Sequence, residues 1–184
     1  MIPIKEMTLG ELAAYVCTHL RNRGINAVLS GGACVSIYTK NRYQSFDLDF
    51  IENIPTGRKK IKNALSEIGF SEEHRYFKHP DTAFFLEFPP GPLSIGDEPV
   101  RETVTREFST GLLRLISPTD CVKDRLAAYY HWNDRQSLDQ ALLVAEAHEI
   151  DLQEVERWSV KEGKSREFSE VRELFLKSQK VRKV

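Results

Sequence analysis

Apolar positions along this chain follow two different periods, and the switch between them divides it. Leu9, Leu12, Ala13, Val16 and Leu20 recur every three or four residues and predict a helix. Thr8 is placed to cap it, Glu11 completes a capping box, and Gly24 stops it. The apolar run over 25–29 then reads as a buried strand. Gly31 and Gly32 make a tight exit from that strand, and 33–38 follow as a short helix. Residues 46–51 alternate: Phe46, Leu48 and Phe50 face one side of a strand, and Asp47 and Asp49 face the other.

The pattern continues in the same vein up to 116. After a turn at Ile54-Pro55-Thr56-Gly57, residues 58–68 predict a helix that buries Ile61, Ala64, Leu65 and Ile68 and ends at Gly69. Residues 70–77 read as one strand, charged enough to be an exposed edge. Residues 82–88 read as a better strand, with Glu87 pointing away from the face of Leu86 and Phe88. Pro89-Pro90-Gly91-Pro92 ends it abruptly, because proline fixes φ and lacks a donor. The loop that runs on to Pro99 is either a pocket wall or a rigid turn. Residues 100–108 and 111–116 predict a hairpin around Ser109-Thr110-Gly111.

Beyond 116 the period is helical throughout. Ser117 caps a helix that has Pro118 at its first position and Val122, Leu126, Ala127 and Tyr130 on its apolar face. Further helices are expected over 134–148, with Leu138, Ala141, Leu142 and Ala145 as the stripe, and over 151–162 and 165–179, separated by Gly163. The expected architecture is α/β (α+β): a mixed sheet flanked by helices over 1–116, followed by a C-terminal helical annex over 117–184. Tyr129, Tyr130, His131 and Trp132 form an aromatic group that would serve either as core or as a stacking surface for a base.

Composition narrows the class only a little. The chain has 184 residues, 41% hydrophobic and 29% charged, as ordinary soluble domains do. It has no apolar stretch of membrane-spanning length, and its start lacks the apolar core of a signal peptide, so a cytoplasmic location without membrane partners is expected. Cys17, Cys34 and Cys121 are scattered and show no metal spacing, which predicts free buried thiols. With a net charge of −1 there is no global field to attract nucleic acid. Lys177, Lys180, Arg182 and Lys183 form a local basic run, either a contact patch or a solvated helix end.

The chemistry gathers around the two glycines and the two aspartates. A helix start just after a glycine turn favours anions, since its first N–H groups are free. Two carboxylates on one strand face beside it are what magnesium and a nucleoside triphosphate would need. Lys40 and Arg42 stand where a side chain could reach triphosphate oxygens. Ser45 could bond the same phosphates or orient Asp47.

Gly31-Gly32-Ala33, Tyr38, Arg42-Tyr43-Gln44-Ser45 and Asp47-Leu48-Asp49 resemble the nucleotidyltransferase superfamily of the DNA polymerase beta type, and most closely its AbiEii-type branch of bacterial abortive-infection and toxin proteins. The resemblance implies a nucleotidyltransferase fold with Ser30, Gly31, Gly32, Arg42 and Ser45 on the nucleotide and Asp47 and Asp49 on Mg2+, or on Mn2+. It implies that Glu87 is the third carboxylate, which helps hold a second metal and accepts a proton from the attacking hydroxyl. It implies a triphosphate role for Lys123 or Arg125. The branch usually has Arg-Asp-x-x-Asp later in the chain; here Arg135 and Asp139 match it and Gln136 does not. The implied activity moves a nucleoside monophosphate from an NTP to an RNA, tRNA-like in kind, or to a protein hydroxyl. The implied setting is a toxin with an antitoxin partner. The alternative is an inactive relative that binds nucleotide, RNA or a partner protein.

Overall fold

The computed structural model describes residues 2–182, with side chains through Ser178. A short 3-10 turn leads into α1 (Leu9–Asn22), where Thr8 Oγ1 accepts from the Glu11 N–H at 3.3 Å and Glu11 Oε2 accepts from the Thr8 N–H at 2.9 Å. There follow β1 (Ala27–Ser30), α2 (Gly31–Tyr38), β2 (Asp47–Glu52) and α3 (Arg58–Ser66). Then come β3 (Ser71–Glu73), β4 (Tyr76–Lys78), β5 (Phe85–Glu87), β6 (Ser94–Ile95), β7 (Glu98–Pro99), β8 (Thr103–Phe108) and β9 (Gly111–Ile116). The chain closes with α4 (Pro118–Trp132), α5 (Arg135–Ala147), α6 (Leu152–Lys161) and α7 (Ser165–Arg182).

The fold is a mixed α/β one. Seven strands form one sheet in the order β3-β4-β5-β2-β1-β9-β8. β1 runs parallel to β9 and β2 parallel to β5, while the remaining pairs are antiparallel. β1 is buried along its whole length and β2 is buried at alternate residues, because its Leu48 and Phe50 enter the core while Asp47 and Asp49 face away. One hydrophobic cluster runs through both halves of the chain. It includes Leu12, Leu29, Phe50 and Leu86 from the sheet half and Leu126, Val144, Trp158 and Phe175 from the helices. The annex therefore shares the sheet's core, with α2 packed against α4 and α5.

Several expected elements differ in detail. Residues 70–77 are two short strands, because His74 takes φ 58° and turns the chain between them. The better strand is confined to Phe85–Glu87, since β5 pairs with only three residues of β2 and three of β4. The loop after Pro92 contains a separate two-stranded hairpin, β6–β7. Gly31 and Gly32 form the first turn of α2, where a helix starting at Ala33 was expected. All three cysteines are free and buried. Tyr130 belongs to the core, stacked on Trp158 at 5.9 Å, whereas Trp132 is exposed. The expected basic run at Lys180, Arg182 and Lys183 lies outside the described side chains. Among the described residues no helix is long and apolar enough to cross a membrane.

Candidate active site

The site forms where β1 ends and α2 begins. Ser30 is the extended residue before α2, and its hydroxyl donates to Asp49 O at 3.4 Å. Gly31 follows at φ +70°, in the left-handed region that side chains disfavour. A Cβ there would collide with Asp49 Oδ2. A Cβ on Gly32 would lie 3.0 Å from Ser45 Oγ and 3.4 Å from a Tyr43 ring carbon. The missing side chains thus let the start of α2 approach the carboxylate strand closely.

Strand register assembles the carboxylates. Ser30 pairs with Asp49 across β1–β2, and Asp49 pairs with Glu87 across β2–β5. Residues in register on neighbouring strands project from the same face, and Asp47 lies two residues before Asp49, so Asp47, Asp49 and Glu87 share one face. Ser45 Oγ donates a short hydrogen bond to Asp47 Oδ1. The Ser45 N–H in turn donates to Ser36 Oγ at 2.8 Å, and Ser36 Oγ donates to Gly32 O at 3.3 Å. That chain of bonds ties Asp47 to the first turn of α2.

The electrostatics follow from the crowding. Burial raises Asp49 to a pKa of about 7, with Asp47, Glu87 and Asp124 adding to the rise and Arg125 opposing it. Excess negative charge of this kind, on hard oxygen donors, suits Mg2+ or Mn2+. Asp47, Asp49 and Glu87 therefore fit a divalent cation in donor type and in charge. Their placement is another matter: among the described residues no group of three or more His, Cys, Asp or Glu is arranged so that it could hold a metal ion.

The expected basic residues are placed less simply. Arg42 pairs with Glu146 on α5 at 2.7 Å and is half exposed. Lys123 is buried, its ammonium bound by Asp120 at 2.8 Å and by Glu154 at 3.1 Å. It lines a different cavity of about 600 Å³, between the β6–β7 hairpin and the starts of α4 and α6. Arg125 donates to Asp124 Oδ2 from Nε at 3.0 Å and from Nη2 at 2.5 Å, and to Gln140 Oε1 from Nη1 at 3.3 Å. Burial opposes the charge on Arg125, but Asp124 outweighs it and raises the pKa of the guanidinium. Arg135 and Asp139, which match the branch motif, are both exposed.

Two charged groups that bear on the carboxylates escaped the sequence reading, Arg75 by contact with Glu87 and Asp124 through its charge on Asp49. Arg75 sits on the β3–β4 turn, its Nε 3.4 Å from Glu87 Oε1 and its guanidinium over the Tyr76 ring. Nothing marks that turn in sequence, since it contains neither glycine nor proline. Asp124 stands beside Arg125, and on a helix adjacent residues do not normally face each other. A lone acidic neighbour in a charged helix gives no signal until its charge is known to bear on Asp49.

No protein-family model matches the chain, and no curated protein matches it. Among solved structures it is similar to the antibiotic-resistance factor ANT(2'')-Ia in solution, at 13% identity and a TM-score of 0.47, over 74% of this chain and 82% of that one. It is also similar to the crystal structure of ANT(2'')-Ia in complex with adenylyl-2''-tobramycin, at 15% identity and a TM-score of 0.45, over 77% of this chain and 89% of that one.

Proposed function

We propose that the chain is a nucleotidyltransferase that moves a nucleoside monophosphate from an NTP to a hydroxyl. The observation that carries this is the register Ser30–Asp49–Glu87, which together with Asp47 two residues back on β2 sets three carboxylates on one sheet face against a glycine-opened helix start. The free N–H groups at the start of α2 would hold the triphosphate, beside Ser30, Gly31 and Gly32. Asp47, Asp49 and Glu87 would hold Mg2+, or Mn2+. When bound, the metal would neutralise phosphate charge and lower the pKa of the acceptor hydroxyl. Ser45 would orient Asp47, and the rest of catalysis would be positioning and electrostatics. Pyrophosphate leaves.

The acceptor would be an RNA, tRNA-like in kind, or a protein. The resemblance to the AbiEii-type branch adds a toxin role with an antitoxin partner. A second reading has its own support. Arg42, Lys123 and Arg125 are all engaged by acidic partners, and among the described residues no carboxylate group is arranged so that it could hold a metal ion. That favours an inactive nucleotide-binding relative.

The test mixes the protein with magnesium, each labelled NTP and total cellular RNA or a cell extract, with Asp47→Ala as control. Label on one RNA class or one protein, absent with the variant, is the expected result. Full transfer by Asp47→Ala would remove this mechanism. Magnesium-dependent NTP binding without transfer would establish the second reading.

A further inference from the structure

We propose that Arg75 exchanges partners at the carboxylate face: it is the counter-ion of Glu87 in the nucleotide-free protein, and it passes to a phosphate oxygen of the nucleotide when a divalent cation takes Glu87. This rests on the nucleotidyl-transfer reading and deepens it. The resemblance assigns Arg42, Lys123 and Arg125 to the nucleotide and says nothing of Arg75.

Strand register puts Arg75 at the carboxylates. Tyr76 pairs with Glu87 across β4–β5, and Glu87 pairs with Asp49 across β5–β2, so these three project from one face. Arg75 is the turn residue that leads into β4. Its guanidinium lies 4.8 Å over the Tyr76 ring, and its Nε is 3.4 Å from Glu87 Oε1. The backbone of the turn is anchored by Arg58 on α3, which donates from Nη2 to Arg75 O at 2.8 Å and from Nε to Glu72 Oε1 at 2.9 Å. The Arg75 side chain, by contrast, is 70% exposed. A fixed turn under an exposed side chain lets the guanidinium change partners without moving the sheet.

The contact with Glu87 is a loose one. Charge-assisted N–H···O bonds run to about 2.7–2.9 Å, well short of this separation. An exposed ion pair of that kind is worth little, so giving it up costs little. It nevertheless opposes a metal. Magnesium needs oxygens in near-octahedral array at about 2.0–2.1 Å. No described group of carboxylates is so arranged, and Arg75 faces one of the oxygens required. Two positive groups on one carboxylate oxygen repel each other, so Glu87 serves a cation fully only as the guanidinium leaves. The anion it then meets is a phosphate held at the same cation, and the arginine fork matches phosphate oxygens. The other arginines and lysine expected on the nucleotide are committed elsewhere: Arg42 to Glu146, Lys123 to Asp120 and Glu154, and Arg125 to Asp124 and Gln140.

The exchange predicts opposite signs for two affinities of one variant. Removing Arg75 takes a competitor from the cation and a contact from the nucleotide, whereas a merely structural residue would weaken both or neither. The experiment measures Mn2+ binding to nucleotide-free protein from the EPR signal of free Mn2+. It also measures binding of each NTP at saturating magnesium by equilibrium dialysis. The variants are Arg75→Gln, Arg75→Lys, Asp47→Ala and, as a control for net charge, Lys62→Gln. Lys62 pairs with Glu72 at 3.0 Å, and Glu72 is in register with the buried Phe77, on the other face of the sheet.

Arg75→Gln is expected to bind Mn2+ at least about threefold more tightly and the NTP at least about threefold more weakly. Arg75→Lys, which keeps the charge and loses the fork, should fall between it and wild type. Lys62→Gln should stay close to wild type in both. If Arg75→Gln fails to fold, Arg75→Lys carries both measurements. Mn2+ binding that is unchanged or weaker in the folded Arg75 variant would overturn the proposal. Unchanged NTP affinity would also overturn it, and would leave Arg75 a surface ion pair. Equal tightening of Mn2+ in Lys62→Gln would overturn it as an effect of net charge alone. If Asp47→Ala binds Mn2+ as wild type does, or wild type binds none, the carboxylate face is not the cation site, and the transfer reading and this inference fall together. If Asp47→Ala loses Mn2+ and Arg75→Gln binds it no more tightly than wild type, only the present inference falls.

Discussion

Gly31 and Asp49 occupy space that a single extra carbon would fill: a Cβ on Gly31 would collide with Asp49 Oδ2. The glycine also sits at φ +70°, where a side chain is strained whatever the room. Gly57 gives a control for backbone strain without crowding, at φ +94° and ψ 138° with nothing within 4 Å of its would-be Cβ. Gly57→Ala should therefore cost only backbone strain, on the order of 1 kcal/mol. Gly31→Ala adds displacement of a crowded carboxylate and should cost about 2–3 kcal/mol, a fall in Tm of roughly 4–12 °C for a chain of this size. It should also abolish NTP transfer. Thermal melts of the two variants side by side check this, and equal losses would mean that the close approach is unimportant.

The raised pKa of Asp49 makes stability depend on pH in a defined direction. Its ordinary value is 3.8, and burial, then Asp47 and Glu87, push it up to about 7. Between about pH 4 and pH 7 the folded chain thus binds a proton that the unfolded chain has lost, so this group's contribution to stability falls as pH rises and levels off above 7. The cost at pH 8 is a few kcal/mol at most, roughly 1.4 kcal/mol per pKa unit. Asp49→Asn should then be more stable than wild type at pH 8 and nearly equal at pH 4. Urea midpoints at the two pH values measure it. A variant with the same pH slope as wild type would place the strain elsewhere.

Periodicity carried most of the architecture. The stripe Leu9–Leu12–Val16–Leu20, the alternation around Leu48 and Phe50, and the Ser117-Pro118 start each fix an element locally, and each element forms at that place. What stayed hidden depends on distant partners. The turn at His74 relies on a left-handed non-glycine residue that sequence does not announce. The β6–β7 hairpin forms among prolines, where local signals argue against strands, because α6 supports it from outside. The carboxylate strands were legible because Asp-x-Asp alternates on its own strand. The engagement of Arg125 was not, because it depends on Gln140 from the next helix and on a neighbour that helical geometry normally turns away.

Ser45 tests whether Asp47 needs its orientation. The hydroxyl is buried and donates to Asp47 Oδ1, while the backbone N–H is held by Ser36. Ser45→Ala removes the donor but keeps the backbone bond, so stability should change by only about 1 kcal/mol. Freed from Ser45, Asp47 would sample other rotamers, and transfer should slow by about tenfold, the equivalent of ~1.4 kcal/mol. A slowed rate with an unchanged melting curve supports an orienting role. An unchanged rate would leave Ser45 a purely structural residue.

Glu98 fastens the β6–β7 hairpin to α6, and its acidity sets when the fastening releases. Both of its oxygens take hydrogen bonds from Arg157, at 2.9 and 2.6 Å, and Lys161 adds another at 2.8 Å. Nearby, Trp158 Nε1 donates to Ile95 O at 3.1 Å and the Asp97 N–H donates to Glu162 Oε1 at 3.1 Å. The Arg157 bonds first, and Lys161 second, pull the pKa of Glu98 from 4.5 down to about 2. A depressed carboxylate contributes stability that is present above its unfolded pKa and lost as pH falls through its folded one. Glu98→Gln should accordingly be less stable than wild type at pH 7, with the difference closing between about pH 4.5 and pH 2. Arg157 and Lys161 are half exposed, so salt should shrink the difference at pH 7 as well. Trp158→Phe removes a neutral donor instead, and its loss should persist at low pH and in high salt. Denaturation of both variants across pH and salt separates the two fastenings. If Glu98→Gln loses the same stability at every pH, shape rather than charge holds the hairpin, because only an ionised partner gives the contact a pH dependence.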